Sequence, residues 1–184
     1  MREKIIENLE KIDREGIDGL IEYLDDCGFY TAPCSGSYHL AKEGGLAEHS
    51  VNVMILAEAI AKALLPAKKF KEMRESIILC SLLHDLGKVG DFGKPEYVPN
   101  ILKSGEVSKT KPYEKNKDLL YVDHEIRSIK LCAMFIDLTE EEEHAILYHN
   151  GLYGNLKYAI SGKETPLYMI IHFADMWASR VVEV

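Results

Sequence analysis

An apolar stretch that ends on two polar residues constrains this fold more than any other feature of the sequence. Residues 75–87 read ESIILCSLLHDLG, and the predicted helix from Phe70 to His84 becomes apolar on nearly every side toward its end. A helix without a polar face is buried among other helices. Where a helix ends, adjacent side chains need not diverge by the regular helical turn, so His84 and Asp85 are expected to face one cavity.

Further helices are predicted around this one. Apolar residues at helical spacing and capping signals indicate them over 2–13, 20–24, about 47–65, about 123–136, from Thr139 and from Thr165 to the C-terminus. Thr139 begins a capping box with Glu142, and Thr165 precedes a proline at the first helical position. We expect Glu140 to Glu143 to form a solvated first turn, and Gly87 to end the buried helix.

Residues 90–122 interrupt the helical pattern. Together they contain six residues that are glycine or proline. Five lysines are spread over residues 103–117 of this segment, namely Lys103, Lys109, Lys111, Lys115 and Lys117. The K-S-G-E segment at 103–106, between short β-favouring pieces, predicts a hairpin or an ordered flap. Whether the lysines steer a phosphate or only solvate the hairpin stays open. The predicted fold class is all-α: a helical bundle with a small lysine-rich hairpin or flap insertion, forming a single domain over 1–184 with its core at about 38–180.

Composition narrows the choice of partners. The formal net charge of −8 argues against a groove for duplex nucleic acid, but it leaves room for a nucleotide or a short single strand. The charged N-terminal stretch lacks the apolar run of a signal peptide, and no segment has the length of a membrane span, so we expect a cytoplasmic protein without a membrane partner. The four cysteines show no C-x-x-C spacing, so neither a zinc cluster nor a disulfide framework is expected. The oligomeric state stays open.

Histidines and aspartates fall at the ends of predicted helices. The candidates, in chain order, are His49, His84, Asp85, His124, His149 and Asp175. Helix ends in a bundle can converge on one point, and imidazole with carboxylate suits transition-metal ions better than magnesium or calcium. An aspartate has two oxygens and can bridge two ions, which polarise a phosphoryl oxygen and activate a water. No catalytic triad or phosphate-binding P-loop is present, so this pattern favours metal-dependent hydrolysis.

These residues, in this order, resemble the HD-domain superfamily of metal-dependent phosphohydrolases. Three strings carry the resemblance, namely GGLAEHSVNV at 44–53, SLLHDLGKVG at 81–90 and IIHFADMWAS at 170–179. The likeness covers roughly residues 38 to 180, so it implies a single HD domain for nearly the whole chain.

The resemblance also implies a ligand set of two divalent transition-metal ions. His49, His84, Asp85 and Asp175 would hold the first ion, while Asp85 would bridge to a second ion completed by His124 and His149. Manganese, iron, cobalt and nickel are the expected metals, with magnesium or zinc also open. Asp85 and Lys88 would be the catalytic residues, with Lys88 in contact with a phosphate oxygen.

Within the superfamily, the sequence is most similar to the HD domain of YhaM-type bacterial 3′–5′ exoribonucleases. The segment YHLAKEGGLAEH at 38–49 matches their loop pattern. Their H-H-G loop corresponds here to His149, Asn150 and Gly151, so asparagine replaces the second histidine. Asn150 is therefore grouped with Lys88 as a substrate-binding residue. The RNA-binding OB-fold domain of those enzymes is not part of this sequence, so the resemblance does not imply processive RNA degradation.

The expected function is hydrolysis of a phosphoester or phosphodiester in a nucleotide, a cyclic nucleotide or a short single-stranded oligonucleotide. Two alternatives stay open: an HD-fold mixed-valence di-iron oxygenase with the same ligand order, and a nucleotide-sensing binding module. Among the other histidines, His172 is expected to support or pack against the site, and His144 to be solvated. His39 lies either in the pocket or at the surface.

Overall fold

The polypeptide forms eight α-helices and one small hairpin, and the structure, a computed structural model, describes all residues from 1 to 184. The helices are α1 (Arg2–Leu9), α2 (Ile17–Asp26), α3 (Gly45–Leu64), α4 (Ala67–Leu83), α5 (His124–Cys132), α6 (Glu140–Tyr148), α7 (Lys157–Ile160) and α8 (Pro166–Trp177). Turns of 3₁₀ helix follow α4 (Leu86–Val89) and α6 (Gly151–Tyr153), and a π-helical turn (Ala178–Val182) extends α8. The predicted all-α bundle is confirmed. None of these helices is both long and apolar enough to cross a lipid bilayer.

Helix α4 lies at the centre of the bundle, and its residues from Ile77 to Leu83 are all buried. It packs against α1, α3, α6 and α8. Leu79 and Leu82 belong to a core shared with α1 and α2, whereas Ile77 and Cys80 belong to a second core shared with α6 and α8. This second half of the helix lacks a polar face because it separates two cores. Each fully buried leucine or isoleucine stabilises such a fold by roughly 1.5–3 kcal/mol.

The prediction that Gly87 ends the central helix is wrong. Helix α4 ends at Leu83, His84 is its C-cap, and Asp85 has left the helical conformation with φ −103° and ψ 9°. Gly87 lies in the following 3₁₀ turn. The early departure from helix geometry brings the Asp85 carboxylate beside the His84 ring, with Oδ2 3.5 Å from Nε2. Helices α1 and α2 also differ from prediction, since α1 is shorter and α2 longer than expected.

Helix α6 begins with the predicted capping box, in which Thr139 and Glu142 exchange hydrogen bonds with each other's backbone amides. The expectation of a solvated first turn is wrong for Glu142, which is fully buried. Its carboxylate accepts hydrogen bonds from both terminal nitrogens of Arg14 (2.8 and 2.9 Å) and from the hydroxyl of Ser76 (2.7 Å). Local sequence does not reveal these partners, which come from distant segments of the chain.

The insertion is the predicted hairpin. Strand β1 (Tyr97–Pro99) pairs antiparallel with β2 (Tyr113–Lys115), and a further bridge joins Ile101 to Val107 on either side of the K-S-G-E turn. Beside β1, the buried Glu96 accepts a hydrogen bond of 2.6 Å from Arg127 of α5. This ion pair holds the hairpin against the bundle, next to the end of α4.

Replacement of Arg14 tests the buried Glu142 ion pair. Burial alone would raise the pKa of Glu142, but hydrogen bonds from Arg14, Thr139 and Ser76 hold it below its ordinary value. A lowered folded-state pKa means that the pair stabilises the protein above the unfolded pKa and that this stabilisation is lost as the pH falls. We expect Arg14→Ala to lower the free energy of unfolding at pH 7 by about 2–4 kcal/mol, somewhat less than for a fully buried pair.

Urea unfolding at pH 7 and at acidic pH measures this effect. The deficit of Arg14→Ala should shrink as the pH falls through the pKa of Glu142. Arg2→Ala is the matched control, because its ion pair with Asp25 is exposed and should matter little. An equal deficit at both pH values would contradict this account of Glu142.

Candidate metal centre

The six predicted ligands converge at the end of α4. They come from five helices: His49 from the second turn of α3, His84 and Asp85 from the end of α4, His124 from the first residue of α5, His149 from the C-cap of α6 and Asp175 from α8. Among them, His49, His84, Asp85 and His149 are buried. The bundle therefore brings together one dense cluster of imidazoles and carboxylates.

The two oxygens of Asp85 face different pairs of imidazoles. Its Oδ2 lies 3.5 Å from Nε2 of both His49 and His84. Its Oδ1 lies 3.1 Å from Nε2 of His124 and 3.5 Å from Nε2 of His149. The arrangement divides the cluster into two donor groups that share one carboxylate. Asp175 joins the first group, with its Oδ1 at 3.2 Å from Nε2 of His49.

Hydrogen bonds at the opposite ring nitrogens orient the imidazoles. Nδ1 of His84 donates to the carbonyl of Ser81 (2.9 Å), and Nδ1 of His149 donates to the carbonyl of Ile146 (2.8 Å). Because a carbonyl can only accept, the proton of each neutral ring is on Nδ1 and the lone pair of Nε2 points into the cluster. Such outer contacts fix the tautomer and orientation of metal-binding histidines.

His49 has a carboxylate as its outer partner. Its Nδ1 lies 3.0 and 3.1 Å from the oxygens of Glu183, which also accepts a hydrogen bond of 3.0 Å from Asn52. Burial would lower the pKa of His49, but Cys34, Asp175 and Glu183 raise it well above its ordinary value. The surroundings of this imidazole therefore favour a positive charge.

Two groups of polar atoms in the cluster lack a partner, and a divalent cation would supply one for both. Asp85 Oδ1 is buried without a hydrogen-bond donor, which is costly for a polar atom. Nε2 of His49 and Nε2 of His84 lie only 3.3 Å apart, so one lone pair faces another unless a proton or a metal ion lies between them. Burial alone would raise the pKa of Asp85, but Lys88 and the surrounding imidazoles hold it well below its ordinary range. The carboxylate is thus ionised, and the residues present fit transition-metal ions.

Gly87 allows α5 to approach the end of α4. A Cβ at this position would lie 2.2 Å from the carbonyl oxygen of His124 and 2.9 Å from Cβ of Arg127. The amide of Gly87 donates to the Ser128 hydroxyl (2.8 Å), which in turn donates to the His124 carbonyl (2.8 Å). The glycine of the HDLG string therefore positions His124 beside Asp85.

Two other glycines allow similar close contacts. A Cβ on Gly45 would lie 2.1 Å from the carbonyl oxygen of Leu40, so this glycine lets the preceding loop pack on the start of α3. Gly151 has φ +50°, and a Cβ there would lie 2.3 Å from the ring of His172. His172 donates from Nδ1 to the carbonyl of His149 (2.7 Å). Its supporting place beside the cluster is the one expected from the sequence.

Lys88 and Asn150 lie on opposite sides of Asp85. Nζ of Lys88 is 2.6 Å from Asp85 Oδ2, in the first donor group. Nδ2 of Asn150 is 3.3 Å from Nε2 of His124 and 3.1 Å from Nε2 of His149, and it donates to Glu125 (2.7 Å). The Asn150 amide thus lies where the second donor group converges.

A cavity of about 730 Å³ opens onto Asp85, His124, His149 and Asp175, whereas His49 and His84 are not part of its wall. Besides the residues already described, its wall includes Tyr38 and His39 from the loop before α3, Tyr97 and Lys115 from the hairpin, and Tyr153 and Arg180 from the opposite rim. Of the five insertion lysines, only Lys115 reaches the cavity. The prediction for His144 is wrong, since it is half-buried with its ring centroid 5.0 Å from that of Tyr148.

Sequence patterns missed Glu183, Cys34 and Tyr97. Glu183 follows a π-helical turn, which breaks the regular spacing from Asp175 that could have indicated it. Tyr97 lies in a strand of the insertion, which carries no motif of its own. Cys34 has no second cysteine at the C-x-x-C spacing, so no metal-binding motif marks it.

Glu183→Gln tests the outer carboxylate of the cluster. The amide keeps the shape of the side chain but removes the charge that supports His49, so we expect one metal ion to bind about 10–100-fold more weakly. Calorimetric titration of the metal-free protein with Mn²⁺ measures the affinity. Glu48→Gln is the control, because Glu48 is adjacent to His49 but pairs with Lys42 at the surface. Equal affinities for the wild type and both variants would refute the role of Glu183.

Comparison with known proteins places the chain in a family. The HD domain matches residues 46–175, which is most of the chain and includes all six candidate ligands. No curated protein and no solved structure shows a significant match. HD-domain proteins are in general metal-dependent hydrolases that bind divalent ions. The protein belongs to the HD domain family.

Proposed function

We propose that this protein is a metal-dependent phosphohydrolase that cleaves a phosphoester or phosphodiester of a nucleotide, a cyclic nucleotide or a short single-stranded oligonucleotide. The observation that carries the proposal is the buried Asp85, whose two oxygens each face their own pair of imidazoles at the base of an open cavity. This geometry suits a carboxylate that bridges two ions. Hydrolysis by an activated water needs no nucleophilic side chain.

Each donor group would hold one ion. His49, His84, Asp175 and Oδ2 of Asp85 would bind the first ion, and His124, His149 and Oδ1 of Asp85 the second. When bound, ions of the manganese, iron, cobalt or nickel class polarise a phosphoryl oxygen and lower the pKa of water. Rotation of the Asn150 amide would present its oxygen to the second group, where the exoribonuclease pattern has a histidine.

Lys88 supplies a fixed positive charge beside these groups. Burial would lower its pKa, but the charge of Asp85 raises it well above the ordinary value, so the ammonium stays protonated. Because Lys88 also lines the cavity, it can pair with a phosphoryl oxygen as negative charge develops there. Asp85 in turn holds the ammonium in place through the 2.6 Å contact.

The cavity wall supports a nucleotide-sized substrate. Its volume of about 730 Å³ lies within the usual range for small-molecule sites. The rings of Tyr97 and Tyr153 offer aromatic surfaces for a base, while Lys115 and Arg180 add positive charge at the rim. The net charge of −8 disfavours a long polyanion elsewhere on the surface, so the substrate recognised here is short.

A phosphoester panel tests the proposal. The Mn²⁺-loaded protein should hydrolyse at least one substrate among mononucleotides, cyclic nucleotides, short oligonucleotides and bis(p-nitrophenyl) phosphate. Asp85→Asn should lower kcat at least about a thousandfold, since the ions it bridges supply several kcal/mol of transition-state stabilisation. Lys88→Met should lower kcat by about 10²–10³ without loss of bound metal, because it removes only a charge that stabilises the transition state.

The control variant is Asp91→Asn, which removes a carboxylate paired with Lys130 outside the cluster. Its kcat should match that of the wild type. Three results would contradict the proposal: no cleavage with any metal, iron-dependent consumption of O₂ in its place, or tight nucleotide binding without turnover.

A further inference from the structure

A thiol lies next to the proposed ion positions without a part in the proposed hydrolysis. Cys34 is a free, fully buried cysteine, yet it lines the same cavity. Its Sγ lies 3.3 Å from Nε2 of His39, and one donor atom each of Cys34, His39 and His49 lie within 4.8 Å of one another. These residues form a third donor group, the only one that contains sulfur.

The spacing fits tetrahedral coordination by a borderline-soft ion. Bond lengths of about 2.3 Å to sulfur and 2.0–2.1 Å to nitrogen put the two donors roughly 3.5 Å apart in a tetrahedral zinc site. The observed separation between Cys34 Sγ and His39 Nε2 is 3.3 Å.

Charged groups flank both the sulfur and the imidazole of this group. Burial raises the pKa of the Cys34 thiol, whereas the charge of Lys88, whose Nζ lies 3.8 Å from the sulfur, lowers it, and a bound ion would displace the thiol proton. Oε2 of Glu183 lies 3.8 Å from Nε2 of His39 and adds negative charge on the other side. The cavity provides a path for the ion.

His49 belongs to two donor groups, one with Cys34 and His39 and one with His84 and Asp175. Its Nδ1 is engaged by Glu183, so only Nε2 is free to bind an ion, and one lone pair binds one ion. We propose that Cys34, His39 and His49 form a site for one thiophilic divalent ion, such as Zn²⁺ or Co²⁺, that competes with the first ion of the proposed centre for His49. Occupation of this site would withdraw His49 from the first group.

Cobalt spectroscopy tests the site directly. The proposed two-ion centre contains only nitrogen and oxygen donors, so a thiolate-to-cobalt charge-transfer band in the near ultraviolet reports Cys34 alone. Titration of the metal-free wild type with Co²⁺ should produce this band. In Asp175→Asn, in which the competing group lacks one ligand, the band should appear at lower Co²⁺ concentration. His39→Gln should raise the required concentration by about tenfold or more, since even outer-shell changes cost 10–100-fold in affinity.

Cys34→Ser should abolish the band, and Cys27→Ser, at a half-buried cysteine outside the cavity, should leave it unchanged. The absence of a band at any Co²⁺ concentration in both the wild type and Asp175→Asn would overturn the inference, as would a band that persists in Cys34→Ser. The contact between Cys34 and His39 would then be a hydrogen bond only. The spectrum is read without a substrate, so a failure of the proposed hydrolysis leaves this test intact, and the reverse also holds.

Discussion

The buried carboxylate of Asp85 is the interaction on which the rest of this structure depends. An ionised carboxylate that is 1% exposed is tolerated only when other charges or dipoles compensate for its lost hydration. Here Lys88 supplies a positive charge 2.6 Å from the carboxylate, and imidazoles on α3, α4, α5 and α6 surround it where they could share a cation with it. Because these groups must all reach one carboxylate, the ends of four helices are held at one place.

The short sequence motifs contain glycines that allow close packing, besides the residues that would take part in the chemistry. Gly87 lets α5 touch the end of α4, Gly45 lets a loop close on the start of α3, and Gly151 lets α8 place the His172 ring under the His149 carbonyl. Backbones approach each other where a side chain would not fit, and the donor atoms of neighbouring elements then lie 3.1–3.5 Å from Asp85.

Features carried by local patterns were predictable from the sequence. Helical periodicity, the two threonine caps and the K-S-G-E turn predicted the bundle and its hairpin, and the order of the histidines and aspartates predicted the cluster. Features that depend on contacts between distant segments were not predictable. The buried pairing of Glu142 with Arg14 reverses the solvation expected from an acidic helix start. Glu183 contacts His49 across 134 residues, after a π-helical turn that interrupts the regular helical spacing. Cys34 meets His39 within one irregular loop, where no helical or strand periodicity relates the two positions.

The proposed function requires Asp85 to lie between two metal ions. A crystal grown with Mn²⁺ and measured above the manganese absorption edge tests it most directly. The account predicts two anomalous difference peaks, one among His49, His84 and Asp175 and the other between His124 and His149, with one Asp85 oxygen directed at each. A single peak, or peaks that do not touch Asp85, would contradict the account.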